Sequence, residues 1–361
     1  MEGHARRHGI VRKHNETEVL RALYHRGPLT RSALSRETGL SKPTVNAIVE
    51  RLVGEAWLRP TDDGAKPPAF GFGVAAGAGL GVSIDPSRVR VGIADIGGTR
   101  FLGEPRATPR STARLLDLIG ALTEEACENT GVGRDQLRLA VVSVPGVPHP
   151  GGIRLAANTP ALASADLEDL LGRALGCEVV LANDVNLAAV AEGWQGPAAG
   201  SENYTVLHFG KGIGMGVVIG GRPVHGVHGA AGEIGYLPLG ADPLDPRHAR
   251  RGALESQQVF ADVDALLRRD PDVALPAELL EPLATLIASA ILAVQSVLDV
   301  ELHVLTGPVG SREDVLTRVR ELIEPVPLEL AVTASELGES GPVVGALATA
   351  HRSLVDRLIG A

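Results

Sequence analysis

Cysteine is almost absent from this chain of 361 residues: Cys127 and Cys177 stand far apart and are the only two. With no C-x-x-C pair, spacing suggests neither a disulfide framework nor a cysteine-based zinc site. The N-terminus, MEGHARRHGIVRKHNETEVL, is basic and lacks the apolar core of a signal peptide. No apolar run reads as long enough to span a bilayer. The expectation is a cytoplasmic protein with no membrane partner. A chain of this length is expected to hold two or three domains and a large core.

Charge is unevenly spread. Residues 1–60 carry 11 Lys and Arg against 6 Asp and Glu, a net of +5, while the remainder carries −14 within the overall −9. A basic head on an acidic body points to a polyanion as the partner of the head.

Three helical patterns fill that head. In ETEVLRALYHRG, Val19, Leu20, Leu23 and Tyr24 share one face, and Gly27-Pro28 ends the run. In TRSALSRETG, Thr30 is placed to cap, Ala33 and Leu34 face inward, and Gly39 turns the chain. In SKPTVNAIVERLVGEAWL, Ser41 is a good N-cap and Pro43 lies in the first turn, where a missing N–H costs little. Val45, Ile48, Val49 and Leu52 form its buried stripe. A short strand from Leu58 and the turn TDDGAKPP follow. Two helices joined through a glycine turn, then a strand and a turn, describe a winged helix-turn-helix over residues 1–72. Ser41, Lys42, Pro43, Thr44 and Asn46 start its third helix, whose exposed small polar and cationic residues suit base edges and phosphates of double-stranded DNA. Arg31 and, in the wing, Lys66 join them as candidate DNA contacts.

Residues 73–361 alternate strands and helices in an α/β pattern of two lobes. GLGVSID, VRVGIAD and TRFLGE read as opening strands, and EIGYLPLG reads as a later one. The segment LEPLATLIASAILAVQSVLD reads as a long apolar helix, and a last helix is expected near Val343–Ile359.

Several stretches, in order, resemble the ROK family, which joins sugar kinases and sugar-responsive repressors: SVPGVPHPGGIRLAANTP, LANDVNLAAVAEG, HFGKGIGMGVVIGGRPVHGVHGAAGEIGY, RRGALES and LTGPVG. The resemblance implies a body of actin-like, ribonuclease-H-like ATPase fold in two lobes, acting as effector-binding and dimerisation domain over 73–361. The N-terminal winged helix is similar to that of the repressor branch. That branch implies operator DNA as partner, a sugar or sugar phosphate as effector, a homodimer or dimer of dimers, and no cofactor. A ligand-free regulator and a sugar kinase stay open as alternatives.

The resemblance also says what a kinase would need. Its first phosphate loop, Asp-x-Gly-Gly-Thr, follows strand one. The string DIGGTR, Asp95–Arg100, looks like it, yet Leu80, Val82 and Ile84 already alternate to Asp85. DIGGTR is therefore expected between strands two and three, roughly 15–20 Å from the loop position at about 3.3 Å per residue. Pro86-Ser87-Arg88 then stand where Gly-Gly-Thr should, with one N–H fewer. The family's catalytic base matches Asp184, which serves equally as a sugar hydrogen-bond acceptor. The second loop, Gly-Thr-Gly, is Gly210-Lys211-Gly212 here, where lysine contacts phosphate or the stretch is a plain turn. The family's zinc site of one His and three Cys is lost, with Tyr236 and Ala253 at two ligand positions and no cysteine between them. His225 and His228 lie in a glycine-rich loop with no third ligand. No metal and no catalytic residue are expected. The sugar contacts implied by the resemblance are Asn158, Asn183, Asp184, Glu233, Tyr236 and Glu255.

Overall fold

The computed structural model describes the chain except residues 1, 62–65, 150, 155–158, 163–165, 211, 250 and 361, and the side chains of residues 2–10. The head begins with α1 (Glu2–Arg26), which starts well before the expected Glu16. Residues 2–15 contain no proline but also no apolar stripe, so periodicity did not mark them. Then come β1 (Leu29–Thr30), α2 (Arg31–Thr38), α3 (Lys42–Gly54), β2 (Leu58–Pro60) and β3 (Ala69–Phe72). The three strands pair antiparallel in the order β1-β3-β2, which makes the wing. Both caps act as expected. Thr30 Oγ1 accepts from the Ala33 N–H at 3.2 Å, Ser41 Oγ accepts from Thr44 at 3.3 Å, and Gly39 closes α2 at φ +71°.

Next come β4 (Ala78–Ile84), β5 (Arg88–Asp95), β6 (Arg100–Leu102), β7 (Arg106–Ala107), α4 (Thr112–Thr130) and β8 (Leu137–Val144). A small hairpin, β9 (Val147–His149) and β10 (Gly152–Arg154), precedes α5 (Leu167–Leu175) and β11 (Glu178–Asn183). The first sheet has the order β11-β8-β4-β5-β6, with β7 on β5. Its hairpin register settles the strand count: Ile84 pairs with Val89 and Ala78 with Asp95, so the turns after Asp85 and Asp95 lie at opposite ends.

The remaining elements are α6 (Asp184–Gln195), β12 (Tyr204–Phe209), β13 (Ile213–Ile219), β14 (Arg222–Pro223), α7 (Gln258–Leu267), α8 (Ala277–Leu298), β15 (Leu302–Thr306), α9 (Gly307–Gly310), α10 (Glu313–Ile323), β16 (Val332–Ala334) and α11 (Gly341–Ile359). The second sheet runs β14-β13-β12-β15-β16, antiparallel on the β13 side of β12 and parallel on the β15 side. Contacts divide the chain into two units. One holds residues 1–142, 158–181 and 346–361, and the other holds 143–157 and 182–345.

Two expectations are corrected. EIGYLPLG is no strand: Ile234–Tyr236 form a single 3-10 turn. Gly232 at φ +89° bends the chain just ahead of it, and Pro238 removes a ladder donor just after. And among the described residues one helix, α8, is long and apolar enough to cross a bilayer by length and composition, with a mean hydropathy of 1.7. Glu281 and Pro282 interrupt the apolar run near its start without ending the helix. Its Leu283, Ala284, Ile287 and Ile291 are fully buried among Leu207, Phe209, Val315 and Val319, in the core of the second unit.

Candidate DNA-binding face and ligand site

On α3 the stripe Val45, Ile48, Val49 and Leu52 is buried, and it turns Ser41, Lys42, Pro43 and Asn46 to solvent with Thr44 half-buried. Lys42 and Asn46 are four residues apart and share a face. The Ser41 and Thr44 hydroxyls lie 2.8 Å apart, so each already holds the other in place. Arg31 differs from these. Its guanidinium stacks 5.1 Å over the Phe70 ring, which ties the start of α2 to β3. Lys66 is exposed in the wing. Much of the other positive charge is spent on internal pairs: Arg26 with Glu37, Arg51 with Glu16 and Glu55, Arg21 with Glu18. Arg36 and Arg59 are exposed as well, and sequence reasoning passed over both. Helical spacing from the inward Ala33 and Leu34 in TRSALSRETG, and alternation along LRP, were the only signals for them.

The head is docked rather than tethered. The link from Gly73 hydrogen-bonds back to it, Gly73 N–H to Trp57 O at 2.8 Å and Ala75 N–H to Ala56 O at 3.0 Å. Its apolar core, with Val19, Leu34, Val45 and Leu52, also takes in Ala76, Ile96, Leu354, Val355 and Ile359. Ile96 is the second residue of DIGGTR. That string is a tight turn in which Asp95 Oδ1 accepts from Thr99 N–H at 2.6 Å, with Gly98 at φ +101°. It serves as a wall of the head joint. The turn after β4 is closed in the same way, since Asp85 Oδ1 accepts from the N–H groups of Ser87 at 2.6 Å and Arg88 at 2.9 Å. Those donors are turned inward, so they do not present the outward cradle that a phosphate requires.

The ligand-site candidates split into two groups in the second unit. Asn183 is the N-cap of α6: its Oδ1 accepts from Asn186 N–H, and its Nδ2 donates to Gly146 O, each at 3.0 Å. Asp184 opens the helix and accepts from Val185 N–H at 2.9 Å. Glu233, Tyr236 and Glu255 form the second group. Glu255 Oε2 accepts from Ile213 N–H at 3.2 Å, at the start of β13. One residue on, an added Cβ at Gly214 would stand 3.3 Å from Val185 Cγ2 in the first turn of α6. The start of β13 therefore touches Glu255 and the first turn of α6, the former through a backbone donor that no sequence pattern marks. Burial pushes the Glu233 carboxyl above its ordinary range, with Glu255 adding to the effect. Burial does the same to Glu255, against the Ile213 N–H and Arg251. Tyr236 is 40% exposed and its hydroxyl points to Ala249 O at 3.5 Å. Asn158 and Lys211 lie outside the described residues.

At the far end of β12 the His208 imidazole sits against two glycine turns. Its Nε2 would be 3.0 Å from a Cβ at Gly210, and its Cε1 would be 2.8 Å from one at Gly307. Burial lowers its pKa to about 4, so the ring is neutral. His225 and His228 are exposed, and among the described residues no three His, Cys, Asp or Glu side chains gather as a metal site.

Comparison with known proteins places these features. The ROK family model matches residues 80–257, and the MarR family model matches residues 13–66. Residues 80–257 form a ROK-family domain. The xylose repressor of Bacillus subtilis (strain 168) is 24% identical over 273 residues, 72% of this chain and 68% of that protein. The N-acetyl-D-glucosamine kinase of Pectobacterium atrosepticum is 30% identical over 171 residues, 46% of this chain and 54% of that protein. Among solved structures, a ROK family transcriptional regulator described as a homologue of the E. coli MLC protein superposes with a TM-score of 0.71 at 19% identity. That superposition covers 97% of this chain and 98% of the other. The fold is thus the two-lobed, actin-like ROK body with a MarR-type winged helix in front of it.

Proposed function

We propose that this protein is a DNA-binding transcriptional regulator of the repressor kind, responsive to a sugar or sugar phosphate. Residues 1–72 read double-stranded operator DNA, and residues 73–361 bind the effector and dimerise. The observation that carries the reading is the exposed Lys42 and Asn46 face on a helix whose opposite stripe is buried in a winged helix. Arg31, Ser41, Pro43, Thr44 and Lys66 complete the proposed DNA contacts. Asn158, Asn183, Asp184, Glu233, Tyr236 and Glu255 make the effector site. Carboxylates and amides accept from and donate to vicinal hydroxyls, so this set suits a sugar. A homodimer, or a dimer of dimers, matches two half-sites related by two-fold symmetry. The protein works in the cytoplasm, where the operator is. An effector regulates it by binding two states of the body unequally.

Selection of binding sites from fragmented genomic DNA by the purified protein tests the DNA reading. Enrichment of two-fold symmetric sites is expected, and no enrichment over bulk DNA overturns it. Thermal-shift screening against sugars and sugar phosphates then tests the effector.

The body is not an enzyme in this proposal, because the turn after β4 is closed on Asp85. Phosphoryl transfer is the second reading, favoured by the retained Asp184 and by relatives named as kinases. Incubation with ATP and a panel of hexoses is expected to give no turnover. Turnover abolished by Asp184→Asn establishes a kinase instead.

A further inference from the structure

The ROK resemblance implies a structural zinc held between residues 236 and 253, and the side chains here do not fit one. Tyr236 offers a phenol already directed at Ala249 O, and Ala253, 1% exposed, offers a methyl group. No cysteine stands between them. A zinc there would hold the segment around 232–236 against the segment around 251–255.

We infer that no zinc is held here and that backbone contacts at three glycines staple the segments together without one. Gly252, at φ +83°, lets the chain lie directly on Gly235: an added Cβ would stand 2.2 Å from Gly235 O and 2.7 Å from Tyr236 Cα. Gly235 O accepts from Leu254 N–H at 3.0 Å and from Glu255 N–H at 3.3 Å. Gly232, at φ +89°, makes the second staple, since a Cβ there would fall 1.8 Å from Met215 O. Its own carbonyl accepts from Met215 N–H at 2.8 Å. Gly235 completes the set, with a Cβ position 3.2 Å from Arg251 O.

The Ile213 N–H to Glu255 tie closes the knot on its third side. Ile234, Leu254 and Met215, all buried in one cluster with Phe260, anchor it from beneath. Buried backbone groups that are paired this way need no external partner, and only glycine permits both the positive φ and the close approach. The knot sets the relative positions of Glu233, Tyr236 and Glu255, so its importance for binding rests on the effector reading above. Its existence does not.

The test uses the full-length protein and no sugar. Thermal unfolding is measured after dialysis against EDTA and again with added zinc chloride. A resident metal stabilises the native state by mass action, so its removal lowers the midpoint. The midpoint is expected to be the same in both. A fall on chelation, reversed by zinc, overturns the inference. Gly252→Ala is then compared with Gly221→Ala, which has a similar φ of +70° but no atom within 4 Å of its added Cβ. Gly252→Ala is expected to lower the midpoint further, and to speed hydrogen exchange at Leu254, Glu255 and Met215 while Val206 in β12 stays protected. Equal midpoints and unchanged exchange overturn the inference. If Gly252→Ala does not fold, the chelation result still decides.

Discussion

Tyr24 and His351 are 327 residues apart in the chain and meet across the head joint, with 3.5 Å between the phenol oxygen and Nε2 and 6.0 Å between ring centroids. Beside them Arg21 donates to the carbonyl of Ile359 at 3.1 Å, near the end of α11. Burial lowers the His351 pKa below the ordinary imidazole range, Arg100 adds to this, and Asp95 opposes it. The first helix of the head and the last helix of the chain thus form one packed pair.

Truncating the joint should therefore damage the head. Leu354, 5% exposed and far along the chain from α3, shares the head core. Leu354→Ala is expected to cost about 2–5 kcal/mol and to weaken operator binding. Tyr24→Phe, which removes one long hydrogen bond, should cost no more than about 1 kcal/mol. Urea unfolding and operator titration check both. A Leu354→Ala protein with unchanged stability and affinity would mean that the head stands without α11.

The α3 face separates two kinds of contact. Lys42→Ala should weaken binding across all sequences and reduce the slope of affinity against salt by about one. Asn46→Ala should instead relax base preference, with a loss of about 1–3 kcal/mol at one position. Titrations on operator and scrambled DNA at several salt concentrations distinguish them. If neither affinity changes, α3 is not the reading helix.

Acid should loosen the second unit through His303. This ring is fully buried, with Thr205 Oγ1 2.7 Å from Nδ1 and Gln295 Oε1 3.0 Å from Nε2. Nε2–H donates to Gln295 and Thr205 donates to Nδ1, which fixes the neutral ring. Burial lowers its pKa from 6.5 to about 4. Between those values the unfolded chain binds the extra proton and the native chain does not. Stability therefore falls as pH drops from 6.5 toward about 4, and His208 contributes with the same sign. His303→Gln should flatten part of that slope while costing about 1–3 kcal/mol near neutral pH, where Thr205 and Gln295 lose a partner. Unfolding curves across this range test it, and an unchanged slope refutes it.

Much of the head was legible because its signals are local. Thr30 and Ser41 cap, Gly39 turns, and the Val45–Leu52 stripe repeats at helical spacing. The β4–β5 hairpin was legible too, because Ile84-Asp85 and Ile93-Ala94-Asp95 end separate alternating runs, which moved DIGGTR away from the phosphate position. The start of α1 was not legible, since a helix without an apolar face carries no period. Nor was the turn at Ile234–Tyr236, because the close approach of Gly232 to Met215 is tertiary. For the ligand site, residue types could be matched one by one. The tie of Glu255 to Ile213 could not, because a backbone N–H has no letter of its own.

The packing of α11 on α1 has a consequence for how the protein is made. Synthesis runs from the N-terminus, and domains generally fold as they emerge. Here the DNA-reading head leaves the ribosome ahead of the body, but Leu354, Val355 and Ile359, which close its core, follow only after both sheets of the body. The head is completed only once α11 has emerged, so a chain cut short before α11 carries a reading helix on an open core.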